Sequence, residues 1–315
     1  MNKYIQTVTG LVNVEEIKVT DSHSHLYALA TKEIQEKTQD LVLDNIENLK
    51  EDLEIFKQLD GNLIAEMTTM DYGRDLEKLK KISQDNNVYV IATAGYNKGA
   101  YNREFLEFAE ISDVTKKLVK EIQENSIKPG LLKVGTSLNE IYPWEEKGLR
   151  AISRATLQTG VPISTHTEKG TMAREQVKIF EEENVPYENI IICHLDQLDD
   201  YNCHKELLEK GIFLSYDSIA KTKYQTRDRA LKYITEFAKI GLHKNILVGN
   251  DFARKSSLIG YGGGPGYTSV FKEFKKELSD ILFDNGFNED EVNNIINDIY
   301  IQNPRRAFSI KKNQS

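Results

Sequence analysis

At 315 residues, with 39% hydrophobic and 29% charged side chains and no low-complexity tract, the chain can bury a large core, which excludes disordered and fibrous classes. Its net charge of −8 argues against a nucleic-acid-binding surface, although a local basic pocket can still attract a small anion. Two cysteines, Cys193 and Cys203, imply no disulfide framework; the opening MNKYIQTVTG lacks the apolar stretch of a signal peptide, and no run of about 18 apolar residues predicts a membrane span, so a cytoplasmic protein is expected.

In chain order, short stretches rich in Ile, Val and Leu read as strands buried on both faces at 17–21, 62–66, 88–93, 131–134, 161–165, 190–193, 212–216 and 246–249. Between them, apolar periodicity predicts helices over 41–59, 76–84, 112–124, 145–158, 171–183 and 228–240. Eight strands alternating with helices predict an α/β fold, a closed (β/α)8 TIM barrel. No Pro-, Gly- or Ser-rich linker divides it, so residues 1–315 are expected to form one domain. After the eighth strand, 258–267 carries Gly262-Gly263-Gly264-Pro265-Gly266, which lacks the Lys-Ser/Thr of a phosphate-cradling loop and reads as a flexible lid. Helices follow over 270–283 and 289–299, and a last one starts near Asn303-Pro304.

Such barrels gather their chemistry at the carboxyl ends of the strands. Four of the six histidines fall there: His23 and His25 at strand one, His166 at strand five, His194 at strand six. Lys133 lies on strand four and Asp251 follows strand eight. Residues i and i+2 of a strand share a face, so His23 and His25 project together. A lone His-x-His is weak evidence, but a rim that adds two further histidines and an aspartate is a ligand set, suited to zinc and neighbouring divalent ions. Lys133 is the odd member. Alone it reads as a lysine snorkelling to the strand end, but an ammonium beside metal cations is strongly disfavoured. Reaction with CO2 turns it into a carbamate, an anionic ligand with two oxygens.

These residues sit in segments that resemble the phosphotriesterase-related branch of the amidohydrolase superfamily. The segments are DSHSHL near the start, THTEKGTMAREQ (165–176), ICHLDQ (192–197), LSYDSIAKTKY (214–224), RKSSLIGYGGGPGY (254–267) and NPRRAF near the end. The resemblance runs over nearly the whole chain. It implies two divalent metals, usually zinc with manganese or cobalt as alternatives, bridged by carboxylated Lys133. It makes His23, His25 and Asp251 ligands of one ion and His166 and His194 ligands of the other. Water activated between the ions attacks an ester-type carbonyl, and Asp251, with Lys133 the catalytic residue of the set, takes the proton and passes it to the departing alkoxide. The first motif is His-Ser-His and the last carboxylate sits in Gly-Asn-Asp-Phe-Ala-Arg; neither departure removes a ligand. Members of this kind generally open lactones, and a homodimer is expected.

Substrate preference rests on Lys221, Lys223, Arg227, Arg254 and Lys255, which the loops after strands seven and eight bring to the rim of an acidic protein. Lys221, Lys223, Arg254 and Lys255, with Tyr72 from the loop after strand two, are the expected substrate contacts. A phosphorylated aldonolactone ranks first; acyl-homoserine or aliphatic lactones, whose chains want an apolar channel, come second with phosphotriesters. A barrel that only binds a ligand is the rival outside catalysis, opposed by the complete ligand set. Tyr96, Tyr216 and Tyr267 are rim candidates for packing or contact, Glu168 reads as structuring its loop, Cys193 packs as a small apolar residue, and His204 and His243 fall outside the site.

Overall fold

Strands covered on both faces need apolar or compact residues at every position, and the barrel is built from such stretches. The computed structural model describes residues 3–224 and 226–311; residues 1–2, 225 and 312–315 of the expected domain lie outside them. The ring runs β1 (Val19–Ser24), β2 (Gly61–Glu66), β3 (Tyr89–Ile91, resumed as Thr93–Gly95), β4 (Leu131–Thr136), β5 (Ile163–Thr167), β6 (Ile190–Ile192), β7 (Phe213–Tyr216) and β8 (Ile246–Val248). Neighbours pair in parallel. The break in β3 splits its duties: Tyr89–Ile91 bonds β2, and Thr93–Gly95 bonds β4. Beyond β8, the N–H groups of Asn250 and Asp251 donate to the carbonyl of His23 at 3.2 and 2.8 Å, joining the end of the ring to its start. The fold is the expected (β/α)8 barrel.

Period two sorts the side chains. Leu63, Ile91, Leu131, Ile191, Phe213 and Leu247 form one apolar cluster inside the ring. The intervening Ile64, Val90, Leu132, Ile192, Leu214 and Val248 belong to the larger cluster shared with the helices. Lys133, two residues beyond Leu131, therefore points inward. Cys193 joins the inner cluster as expected.

An N-terminal hairpin, Lys3–Thr7 with Gly10–Asn13, is not foreseen by the sequence reading. Ile310–Lys311 adds a third strand to it. Ile5 and Val12 join the inner cluster, so the hairpin caps the amino-terminal end of the barrel. Gly130, just before β4, permits that approach: a Cβ there would lie 2.1 Å from the carbonyl oxygen of Gln6.

The helix expected over 41–59 is shorter. Val42–Leu43 pairs with Ala28–Leu29, and Asn45 caps a turn at Ile46–Leu49 before the helix Lys50–Gln58 begins. An additional helix, Tyr201–Glu209, is capped by Asp200, whose side chain accepts the N–H of Cys203 at 3.0 Å. The glycine-rich segment, expected to be a lid, forms a hydrogen-bonded turn whose Gly264 and Pro265 line the cavity described below. Gly263, Gly264 and Gly266 donate to the carbonyls of Leu258, Ser256 and Ser257 at 2.9, 3.0 and 3.1 Å. Asp52 accepts from Ile259 and Gly260. Among the described residues, no helix is long and apolar enough to cross a membrane.

Candidate metal centre and substrate cavity

β1 carries Asp21 and His23 two residues apart. Asp21 accepts the N–H of Asn250 at 3.2 Å and its side-chain amide at 3.1 Å, stapling β1 to the segment after β8. Burial pushes the Asp21 carboxyl up to about 7, with Asn250 pulling the other way. Asp251 follows with φ 45°, left-handed backbone that costs a non-glycine residue roughly 1–3 kcal/mol and is held by the bond to His23. The strained turn brings Asp251 Oδ1 to 3.6 Å from His23 Nε2 and 3.5 Å from His25 Nε2. His194 is likewise left-handed, at φ 62°, and its Nε2 lies 2.8 Å from His166 Nδ1. Lys133 Nζ donates to the carbonyl of Met67 at 3.2 Å, and burial pushes its ammonium down.

The opposite nitrogens of the imidazoles fix the proton positions. Thr68 gives its hydroxyl proton to Glu66 (2.5 Å), so its oxygen accepts from His25 Nδ1 at 2.7 Å, and His25 Nε2 is left bare. Asp217 Oδ1 accepts from His194 Nδ1 at 2.6 Å, baring His194 Nε2. Glu168 Oε2 lies 3.2 Å from His166 Nε2, baring His166 Nδ1. Asp217 Oδ2 lies 3.0 Å from His23 Nδ1 at ion-pair distance, and neither nitrogen of the buried His23 ring makes a hydrogen bond. Two bare nitrogens 2.8 Å apart repel unless a proton or cation lies between them. Burial also favours the neutral form of three of the rings: it pushes His23 down to about 3, lowers His25, and holds His166 well below the usual imidazole range. Burial alone would raise Asp217, but the His194 and His23 rings hold its carboxyl well below the carboxylate range. Neutral imidazoles with free lone pairs, beside Asp251, form the donor set a divalent ion requires. His23, His25 and Asp251 offer ligand atoms within 4.8 Å of one another.

The cluster floors a cavity of about 630 Å³, within the usual range for small-molecule sites. Its wall includes Tyr72, Lys221, Lys223 and Arg254. Lys221 pairs with Asp251 Oδ2, Arg254 with Asp40 at 3.1 Å, and Tyr72 stands edge-on to His25. Lys223 is exposed, 4.4 Å from the centre of the Tyr224 ring. Lys255 is not on the wall and pairs with Asp44 at 3.2 Å; Arg227 is engaged by Glu277 at 2.7 Å. Tyr96, Tyr216 and Tyr267 are buried and do not line the cavity. His204 bonds the Tyr216 hydroxyl and His243 lies 3.1 Å from Asp298, both outside the cluster. A hollow of about 750 Å³ lined by Leu157, Pro186, Phe213 and Arg306 is larger but contains no histidine or aspartate.

Sequence reasoning missed Asp217, Thr68, Glu66 and Lys98, and assigned Glu168 to its loop, whereas Glu168 contacts His166 and lines the cavity. For Asp217 a signal existed. Phe213 faces inward, so period two carries Ser215 and Asp217 to the same side.

The model of the Phosphotriesterase family matches residues 3–308. A phospho-furanose lactonase of Mycoplasmopsis synoviae (strain 53) is 28% identical over 340 residues, covering 99% of this chain and 94% of the relative. An N-acetyltaurine hydrolase of Dictyostelium discoideum is 26% identical over 324 residues, covering 98% and 83%. The crystal structure of a lactonase from Listeria monocytogenes superposes with a TM-score of 0.90 at 32% identity, covering 98% of this chain and 100% of that one.

Proposed function

Since the chain belongs to the phosphotriesterase family of binuclear-metal hydrolases, we propose that it is a cytoplasmic, homodimeric lactonase opening phosphorylated sugar lactones, such as a pentono-1,4-lactone 5-phosphate. One observation carries this reading: a single cavity joins the imidazole–carboxylate cluster on its floor to Lys221, Lys223 and Arg254 on its wall. The full-length similarity to a phospho-furanose lactonase supports the substrate class.

In this reading His23, His25 and Asp251 would hold one ion and His166 and His194 the other, with Lys133, as a carbamate, an anionic ligand of the set. The metal is Zn2+, with Mn2+ or Co2+ accepted by the same ligand types. Bound there, the ions would supply an activated water and a polarised carbonyl oxygen. The residues do the rest. Lys133, whose ammonium burial disfavours, offers the neutral amine that reacts with CO2. Burial raises the Asp251 carboxyl, but Lys221 and the neighbouring rings hold it ionised, ready to accept the water proton and return it to the ring oxygen as the lactone opens. Arg254 can grip phosphate with its planar fork, while Lys221 and Lys223 act as point charges.

A second reading follows from the N-acetyltaurine hydrolase relative: the same cations suit a sulfonate, and the scissile bond would be an amide. Acid release by the metal-loaded protein separates the readings, with substrates comprising a lactone 5-phosphate, its dephosphorylated form, an acyl-homoserine lactone, a phosphotriester and N-acetyltaurine. The lactone phosphate should exceed its dephosphorylated form about 100-fold in kcat/KM, on the order of 2.7 kcal/mol of transition-state binding. Equal efficiency on the two would remove the phosphate requirement, and faster cleavage of N-acetyltaurine would move the chemistry to amides.

A further inference from the structure

The cavity wall away from β7 and β8 holds a charge pair, Lys98 with Glu168, whose lysine serves neither the imidazole cluster nor the proposed phosphate contacts. Lys98 follows β3, and in a closed ring of eight strands the third lies across from the seventh, so Lys98 stands opposite the Lys221 side of the mouth. Its ammonium pairs with the Glu168 carboxylate, and both side chains, about a quarter exposed, line the cavity. Burial pushes the Lys98 ammonium down to about 8, with Glu145 acting in the opposite sense.

The local structure places this pair deliberately. Asp71 accepts the N–H of Asn97 with both oxygens, at 2.9 and 2.8 Å, and the Asn97 side chain accepts the N–H of Lys98 at 3.0 Å. The backbone carrying the lysine is therefore fixed. Gly135 on β4 seats its side chain: a Cβ there would lie 2.9 Å from the Cβ of Lys98 and 2.9 Å from the Cβ of His166. Lysine and histidine thus pack side by side over a glycine. Glu168 divides its Oε2 between Lys98 and His166 Nε2. An ammonium has three N–H groups, and one carboxylate partner leaves donors to spare.

A partly desolvated lysine beside a carboxylate already shared with a histidine is a poor stabilising element. It is a good donor–acceptor pair for a hydroxylated ligand. With the carbonyl of a 1,4-lactone at the cluster and the phosphate-bearing carbon toward β7 and β8, the ring turns its C2 and C3 hydroxyls toward β3. We propose that Lys98 and Glu168 bind these hydroxyls, Lys98 donating and Glu168 accepting, and that Lys98 is a specificity-determining residue for hydroxylated lactones. This rests on the phospho-lactonase reading. A site built to bond a hydroxyl rejects the analogue lacking it, because its own polar groups stay desolvated and unpaired.

The test compares wild type, Lys98→Met and Lys98→Arg on a pentono-1,4-lactone 5-phosphate and on its 2,3-dideoxy counterpart, which lacks both hydroxyls, with metal content measured by mass spectrometry. Lys98→Met should retain wild-type metal content. It should lose at least tenfold in kcat/KM on the hydroxylated lactone, mostly through KM, and less than twofold on the deoxy lactone; Lys98→Arg should recover part of the loss. Equal losses on both lactones, or loss of metal, would make Lys98 a structural prop and overturn the proposal. Wild type opening neither lactone overturns the functional reading and this pairing together, whereas wild type opening both with no selective loss in Lys98→Met overturns the pairing alone.

Discussion

Replacing Asp217 with asparagine changes one buried carboxylate that faces two histidines. Its Oδ1 lies 2.6 Å from His194 Nδ1 and its Oδ2 3.0 Å from His23 Nδ1, the nitrogens that carry the protons when both Nε2 atoms face an ion. Asparagine keeps the shape but has only one acceptor oxygen, and its NH2 must face one of the two donors. The shorter contact should keep the oxygen, so the NH2 meets His23. That ring must then move its proton to Nε2, which removes the lone pair directed at Asp251. Loss of a partner that orients a ligand histidine costs 10–100-fold in metal affinity, or about 1.4–2.7 kcal/mol. We expect Asp217→Asn to lose the ion held by His23, His25 and Asp251 at a chelator concentration that leaves the His166–His194 ion bound. Dialysis against graded chelator followed by metal analysis reads this directly, with circular dichroism as the check on folding. A folded variant that keeps two ions per chain at the same chelator concentrations as wild type would refute the tautomer argument.

Asp251→Asn, assayed in preparations with matched metal content, should lower kcat by about 10²–10⁴-fold, the usual contribution of a positioned base; unchanged turnover sinks that role. Arg254→Met should raise KM for the lactone phosphate about tenfold and leave the dephosphorylated lactone unaffected, as expected when one charge-assisted bidentate contact is lost; equal effects on both would mean a structural role through Asp40. His204 gives a pH prediction away from the metal cluster. Burial lowers its imidazole to about 4, so below about pH 6.5 the unfolded chain takes up a proton that the folded chain refuses. Its stability contribution is present above pH 6.5 and is lost as pH falls toward 4, by roughly 2 kcal/mol between pH 7.5 and 5. Denaturant midpoints of metal-free wild type and His204→Asn should converge by this amount over that range; parallel curves would show that His204 does not titrate.

The barrel was legible because β2 to β8 carry compact apolar runs that only a sheet covered on both sides can bury. The hairpin escaped notice because Tyr4-Ile5-Gln6-Thr7 alternates weakly: Ile5 is buried while Tyr4 and Gln6 stay half-exposed. Its partners are distant too, since it is completed by Ile310–Lys311 at the other end of the chain. The helix over 41–59 was overextended for a different reason. Leu41, Val42 and Leu43 satisfy helical and extended patterns equally, and Asn45, whose side chain accepts the N–H of Glu47 at 3.1 Å, marks the true start of helical structure.

The rim residues were legible for the same reason as the barrel: a polar group at the end of an apolar strand has little purpose except at the site. The supporting shell obeys geometry that the sequence carries only in part. Glu168 sits beside a left-handed residue, Lys169 at φ 54°, and lies 3.2 Å from His166, a contact no local pattern announces. Arg254 and Lys255 are neighbours in sequence, yet the short turn Lys255–Ser257 sends one to the cavity wall and the other to Asp44. Lys98 reaches Glu168 only because β3, β4 and β5 stand side by side, with glycine at the crossing. Residues such as these are placed by ring closure rather than by their own segments. A residue exchange at Gly135 should therefore disturb Lys98 and His166 together while leaving His23 and His25 in place. Gly135→Ala should lower metal retention at the His166–His194 pair and selectivity for hydroxylated lactones in the same variant, and independent behaviour of the two would show that the glycine does not couple them.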